Sequence, residues 1–115
     1  MAHIEILKDN LLRILNDVQN FPLSDLEMIA SNLRRMFLQN GTLFVFGNGG
    51  SAAEAIHLAA EFTGKCVKDH RPLRALCLNE SQSALTAIVN DYGADQMFSR
   101  LVEAHLESGD ILIAL

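Results

Sequence analysis

The first forty residues carry a helical pattern of apolar positions. Apolar side chains recur at steps of three and four, with polar side chains between them, at Ile4, Leu7, Leu11, Ile14 and Val18. This spacing predicts an amphipathic helix whose apolar stripe needs a partner to cover it.

A second helix is predicted directly after the first. Phe21-Pro22 interrupts the first helix, and Ser24 followed by Glu27 offers a capping box for the next one. Asn40-Gly41 supplies its stop. The apolar positions of this second helix are Ile29, Leu33, Met36 and Phe37. Residues 1–40 are therefore expected to form an N-terminal helical hairpin.

From residue 42 onward, short apolar runs alternate with helical stretches. The runs predict strands buried on both faces, as in a parallel sheet, at residues 42–46, 73–78 and 111–115. Helices are predicted at residues 51–63, 83–89 and 95–105, with Gly64 as a left-handed cap of the first. This alternation predicts an α/β fold with a doubly wound parallel sheet, led by the helical hairpin.

The length of 115 residues fits one domain, so residues 1–115 are expected to form a single unit. The sequence ends within the third predicted strand, which leaves the edge and far face of that strand without the elements that normally cover them. We therefore expect either a piece of a longer chain, with the C-terminal half of the domain absent, or a chain that a partner completes.

Composition and charge exclude some classes of protein. The net charge of −5 gives no positive field for a nucleic-acid backbone, so no nucleic-acid partner is expected. No apolar run reaches membrane-spanning length, so no membrane association is expected either. Cys66 and Cys77 are too few for a disulfide framework, and a reducing, cytoplasmic location fits best.

Two further features carry candidate chemistry. Gly47-Asn48-Gly49-Gly50-Ser51 lies between a predicted strand and a predicted helix, where backbone amides and the helix dipole can face an anion or a sugar oxygen. By itself this segment is either a binding loop or a tight structural turn. His57 and Glu61 lie four residues apart on the next helix and project from one face. They are either a shared metal or proton-relay pair or an exposed helical ion pair.

Other polar residues follow the second predicted strand. Asn90-Asp91 lies at the end of the helix predicted over residues 83–89, near the carboxyl side of the sheet where open α/β folds bind ligands. The alternative is a turn that stops the helix. Ser81 and Ser83 either contact a ligand or cap that helix. The basic residues from Lys65 to Arg74 either contact one anion or form a solvated face.

Three segments together resemble a known family. They are FVFGNGGSAAEAIHLAAEFTGK, LTAIVNDYGADQMFSR and SGDILIAL, and in this order they resemble the phosphoheptose isomerases of the sugar isomerase (SIS) superfamily. The resemblance covers nearly the whole chain. It implies a flavodoxin-like SIS domain, a homotetramer and interconversion of sedoheptulose 7-phosphate with D-glycero-D-manno-heptose 7-phosphate for lipopolysaccharide heptose.

The resemblance also implies roles for particular residues. Glu61 would be the catalytic base that moves a proton between C1 and C2 of the sugar, and it would also contact substrate. With His57 it would bind zinc, whose other ligands, a Gln and a His, would lie beyond Leu115. The residues that would bind substrate are Asn48, Gly49, Gly50, Ser51, Asn90 and Asp91. Lys65 stands where the family often has an arginine and would be a phosphate or subunit contact. An alternative is a non-catalytic SIS protein that binds phosphosugars or associates with a replication initiator.

Overall fold

The computed structural model describes residues 2–115, with side chains from residue 3 onward. These residues fall into two compact units, one up to Ser31 and one from Asn32 to Leu115. The helices and strands, in chain order, are α1 Ala2–Gln19, α2 Leu23–Leu38, β1 Leu43–Phe46, α3 Gly50–Thr63, β2 Ala75–Cys77, α4 Gln82–Tyr92, a short 3₁₀ helix Ala94–Gln96, α5 Met97–His105 and β3 Ile111–Ala114.

The first unit contains α1 and the beginning of α2, so both predicted N-terminal helices are present. The apolar stripe of α1 is exposed, with Leu11 at 59% and Ile14 at 58% of full exposure. The predicted start of α2 is wrong by two residues. The helix begins at Leu23, and the Pro22 carbonyl accepts a hydrogen bond from the Asp25 amide at 3.0 Å. Ser24 therefore lies inside the first turn and not at the cap.

The second unit is built on a three-stranded parallel sheet in the order β2-β1-β3. This confirms the predicted α/β class with a parallel sheet. The chain enters β1 through a tight turn, in which Asn40 adopts a positive φ of 62° and the Gly41 amide donates to the Met36 carbonyl at 3.0 Å. Asn40-Gly41 thus ends α2 as predicted, and it delivers the chain into the centre of the sheet.

The two faces of the sheet carry separate apolar clusters. On one face, Leu43 and Val45 of β1 are fully buried beneath α3, and the small side chains of Ala55 and Ala59 let that helix approach closely. On the other face, Phe44 packs with α4 and α5 through side chains that include Leu85 and Leu101. Burial of this apolar surface is the main force that fixes α3 and α5 against β1.

The direction of α5 follows from two aromatic pairs. Phe98, in its first turn, lies with its ring centroid 4.4 Å from that of Phe46, the last residue of β1. His105, its last residue, stacks at 6.5 Å on Phe44, nearer the start of that strand. The helix α5 therefore runs antiparallel to β1, and its N-terminus lies at the carboxyl edge of the sheet.

The prediction that β3 is buried on both faces is wrong for the residues described. Its side chains alternate between half-buried and exposed, because β1 is its one neighbouring strand within residues 2–115. Leu112 of β3 and Leu76 of β2 flank Phe44 in register and keep 37% and 50% of their exposure. The sheet face around Phe44 is therefore only partly covered.

Two predicted helix ends differ from the structure. Gly64 ends α3 with a negative φ of −95°, so it is not a left-handed cap. Its amide donates to the Ala60 carbonyl at 2.7 Å. The helix predicted at residues 83–89 continues to Tyr92, and it ends at Gly93, which has a φ of 96°. Asn90 and Asp91 are thus helical. No helix in residues 2–115 is long and apolar enough to cross a membrane.

Candidate functional site

The segment Gly47–Ser51 leaves β1 and starts α3 in one sharp turn. The Ser51 amide donates to the Asn48 carbonyl at 3.0 Å, and the Ala52 amide donates to the Gly49 carbonyl at 3.1 Å. Gly49 has a φ of 58°, a conformation that glycine adopts without steric cost. We refer to Gly47–Ser51 as the glycine loop.

One side of the glycine loop is packed and the other is open. A Cβ atom on Gly47 would lie 2.7 Å from the backbone carbonyl carbon and oxygen of Ser51, so only glycine fits there. A Cβ atom on Gly49 or Gly50 would meet nothing within 4 Å. The Gly50 amide is at the first position of α3, where helical geometry leaves it without an intrahelical acceptor. The open side therefore offers backbone amides and the positive end of the helix dipole to an anion or a sugar oxygen.

Sequence reasoning missed the side chain that holds this loop. Asn79 lies just beyond β2 and is 6% exposed. Its Nδ2 donates to the Gly47 carbonyl at 2.9 Å, and its Oδ1 accepts from the Gly47 amide at 3.1 Å. The sequence offers one signal for Asn79, which is an amide side chain directly after the strand predicted at residues 73–78.

The structure brings His57 and Glu61 together on one face of α3. Their Nε2 and Oε1 atoms are 3.2 Å apart, and the side chains keep 78% and 27% of their exposure. Ala55 and Ala59 turn toward the sheet on the opposite side of this helix. The pair is therefore accessible to a ligand, and it is not buried in dry interior.

The ligand atoms of His57 and Glu61 are spaced like two ligands of one zinc ion. Zinc binds His nitrogen and carboxylate oxygen at about 2.0–2.2 Å, so two ligands of a tetrahedral site lie about 3.4 Å apart. The observed 3.2 Å is close to that value. Within residues 2–115, however, no group of three or more His, Cys, Asp or Glu side chains could hold a metal. These two residues can thus supply part of a site, and zinc itself stays a prediction.

Cys66 lies beside Glu61, although the sequence shows no base next to it. A hydrogen bond to the Glu61 side chain, and then the charge of that carboxylate, raise the pKa of the Cys66 thiol above its ordinary value. Cys66 is exposed, whereas Cys77 is a core residue as predicted, and burial raises the pKa of its thiol. Glu61 therefore has two polar neighbours, an imidazole and a thiol.

Asn90 and Asp91 lie in the last turn of α4, where the Asn90 Nδ2 donates to the Asp91 Oδ1 at 2.8 Å. The chain continues directly into the N-terminus of α5, which packs on the last residue of β1. Both residues are therefore near the carboxyl edge of the sheet, as the sequence predicted. The glycine loop leaves β1 at this same edge.

Other candidate residues lie farther from the loop. At 1.5 Å per residue, His57 and Glu61 are about 10 and 16 Å from Gly50 along the α3 axis. Lys65 follows the opposite end of this 14-residue helix, whose Thr63 hydroxyl donates to Ala75 at the start of β2. The structure does not bring Lys65 close to the glycine loop within one chain.

Ser81 has a structural role in this chain. It precedes α4, and its hydroxyl accepts a hydrogen bond from the Ala84 amide at 3.3 Å. Of the two roles considered for Ser81, the structure thus shows the helix cap.

A cavity of about 670 Å³ lies away from the glycine loop. Its lining includes Thr42, Arg74 and Asp110, which directly precede the three strands. It is therefore at the amino edge of the sheet. Ligands in open α/β sheets bind at the carboxyl edge, so we assign the candidate site to the glycine loop and not to this cavity.

Comparisons with known proteins show similarity to phosphoheptose isomerases over part of their length. A probable phosphoheptose isomerase from Thermoplasma acidophilum is 45% identical over 87 residues, which cover 76% of this chain and 48% of that protein. A phosphoheptose isomerase from Campylobacter concisus is 52% identical over 90 residues, covering 77% of this chain and 45% of that protein. The chain thus spans about half the length of these curated relatives.

Solved structures show the same fold. A phosphoheptose isomerase from Neisseria gonorrhoeae is similar with a TM-score of 0.85 and 34% identity, over 98% of this chain and 58% of that one. A phosphoheptose isomerase from Francisella tularensis has a TM-score of 0.89 at 24% identity, over 98% of this chain and 59% of that one, and supports the fold alone. The family model described as SIS domain matches residues 8–115. Since that match covers nearly the whole sequence, the chain belongs to the SIS domain family.

Proposed function

We propose that this chain is part of a phosphosugar isomerase that interconverts an aldose and a ketose. One observation carries the proposal. The Glu61 carboxylate lies beside the His57 imidazole on an accessible face of the helix that the glycine loop starts. The names of the relatives, phosphoheptose isomerases, support the same chemistry.

Aldose–ketose isomerisation requires a base that moves one proton between neighbouring carbons. In this proposal Glu61 removes the proton from C1 of the ketose, an enediol forms, and the same carboxyl returns the proton to C2, while one hydroxyl proton passes from O1 to O2. Because Glu61 keeps part of its exposure, a substrate carbon can approach it.

The polar groups at the carboxyl edge would bind the sugar. We assign sugar oxygens to the side chains of Asn48 and Ser51 and to the open backbone at Gly49 and Gly50. Asn90 and Asp91 reach the same edge from α4 and would bind hydroxyl groups, since an amide and a carboxylate together match a polyol. We propose Lys65 as a phosphate or subunit contact, and its distance from the loop favours a contact made by a second copy.

The specific substrate, product and cofactor that we propose rest on the resemblance to phosphoheptose isomerases. We propose sedoheptulose 7-phosphate as substrate, D-glycero-D-manno-heptose 7-phosphate as product and lipopolysaccharide heptose synthesis as the role. We also propose zinc as cofactor, held in part by His57 and Glu61, where it would polarise the sugar carbonyl. A cytoplasmic location fits the two free cysteines.

A homo-oligomer, expected to be a tetramer, completes the proposal. The exposed apolar stripe of α1 supports it, because large exposed apolar patches mark surfaces that another chain covers. Leu11→Glu should shift the complete protein to smaller species in sedimentation, and Arg13→Glu, on the opposite face of the same helix, should not. An unchanged sedimentation coefficient for Leu11→Glu would remove this stripe from the interface.

The test of function uses the complete protein with sedoheptulose 7-phosphate. Glu61→Gln keeps the size of the side chain but removes the base, so turnover should fall by about a thousandfold or more while sugar binding persists. Glu103→Gln removes an exposed carboxylate on α5 and should leave turnover unchanged. Stoichiometric binding of a protein partner, with no turnover by the wild-type protein, would favour the non-catalytic alternative instead.

A further inference from the structure

The carboxamide of Asn79 continues the β1–β2 ladder by one step beyond the backbone. The last backbone bond between these neighbouring segments runs from the Leu78 amide to the Val45 carbonyl at 2.9 Å. At the next step the partner of Gly47 is not a peptide group but the Asn79 side chain, which both donates and accepts. A carboxamide has the same donor and acceptor groups as a peptide, so it replaces one.

This pairing is buried. Asn79 is 6% exposed. Its backbone carbonyl accepts a long hydrogen bond from the Gln82 side chain at 3.4 Å. Among the residues described, Asn79 is the one side chain that hydrogen-bonds to the backbone of the glycine loop. A buried amide that lost its partners would cost free energy, so the pairing is strongly held.

Gly47 is therefore fixed from two sides. Asn79 holds its amide and carbonyl, and the Ser51 backbone packs where a Cβ atom would be. The next residues, Asn48 to Gly50, face open space and carry the groups proposed to contact the sugar. The position of these residues depends on the direction in which the chain leaves Gly47.

We propose that Asn79 is a positioning residue for the glycine loop, and that its paired carboxamide holds the loop in the geometry that binds the phosphosugar. Asn79 itself does not touch the ligand. The role in ligand binding rests on the proposed function, whereas the role in holding the loop does not.

The first experiment separates positioning from folding. Asn79→Ala in the complete protein should raise the KM for sedoheptulose 7-phosphate by about tenfold, the effect of losing two hydrogen bonds that hold the loop, while kcat changes less than about threefold. Asn79→Ser, whose hydroxyl replaces at most one of the two bonds, should give an intermediate KM. A purely structural role would lower the active fraction and leave the KM unchanged, and that result would overturn the proposal.

A control variant and a second readout complete the test. Thr63→Val removes a side-chain bond to the Ala75 carbonyl at the other end of the sheet, so it should lower stability without changing the KM. Amide hydrogen exchange measures the loop without any substrate. In Asn79→Ala, exchange at residues 47–52 should rise while that of residues 97–105 stays the same, and unchanged exchange at residues 47–52 would overturn the proposal. If the wild-type protein neither binds nor converts the sugar but the loop still loosens, the proposed function fails and the loop-holding role stands.

Discussion

Asn79 and Gly47 are joined by two hydrogen bonds that run in opposite directions, at 2.9 and 3.1 Å. The two residues are 32 positions apart in the chain. Their pairing connects the end of β2 to the start of the glycine loop, so the loop is anchored to two neighbouring strands. A binding loop held on this rigid support needs little reorganisation when a ligand arrives.

The packed side of the loop predicts a stability effect that depends on which glycine is changed. Gly47→Ala should destabilise the protein by about 1–3 kcal/mol, the usual cost of forcing extra volume into a packed site, because its Cβ would press on the Ser51 backbone. Gly50→Ala should leave stability nearly unchanged, since its Cβ meets open space. Thermal or urea unfolding of the two variants measures this difference. Equal stability of the two would show that the loop relaxes around Gly47.

Gly50 also offers a test of where the ligand binds. Gly50→Ala adds a methyl group on the open side, where the sugar is proposed to approach, and should weaken sedoheptulose 7-phosphate binding in calorimetry. Wild-type affinity in Gly50→Ala would place the ligand elsewhere.

Cys66 reports on the charge of Glu61. The carboxylate raises the pKa of this thiol, so the thiolate is scarce near neutral pH and alkylation should be slow. Glu61→Gln removes the negative charge, lowers that pKa and should speed alkylation by iodoacetamide severalfold in chelator-treated protein. Cys66→Ser controls for Cys77, which is buried and should react slowly. Equal alkylation rates in the wild-type protein and in Glu61→Gln would contradict the effect of Glu61 on the Cys66 thiol.

Zinc binding can be tested without activity. If His57 and Glu61 supply two ligands, the complete protein should bind zinc after dialysis. His57→Ala should lose most of it, because removing a direct ligand should cost at least the roughly 10- to 100-fold in affinity that loss of a partner behind a ligand costs. His70→Ala changes an exposed histidine outside α3 and should bind zinc normally. Full zinc content in His57→Ala, measured by mass spectrometry of the metal, would exclude His57 as a ligand.

Much of the fold was predictable because local patterns determine it. The strand at Leu43–Phe46 and the stop at Asn40-Gly41 follow from apolar runs and turn residues, and both are where the sequence predicted them. The end of α4 was predicted too early, since Asn90 and Asp91 resemble a turn in sequence but continue a helix until Gly93. Edge exposure of β3 depends on which strands are its neighbours, and periodicity does not contain that information.

The candidate site was predictable only in part for a similar reason. His57 and Glu61 share a helix, so their spacing alone predicts that they lie together, as the 3.2 Å contact confirms. Asn79 and Cys66 each interact with a residue that only folding brings close. Asn79 contacts Gly47, which follows another strand, and Cys66 contacts Glu61 of the preceding helix. No short motif marks such residues. The roles assigned to the loop, to Asn90 and to Asp91 stay predictions.

The central claim is that Glu61 carries the proton in the isomerisation, and solvent exchange tests it most directly. In deuterium oxide, the wild-type complete protein should incorporate solvent deuterium into the sugar at C1 or C2, detected by NMR. Glu61→Gln should bind sedoheptulose 7-phosphate and show no incorporation. Incorporation at the wild-type rate in Glu61→Gln would contradict the account.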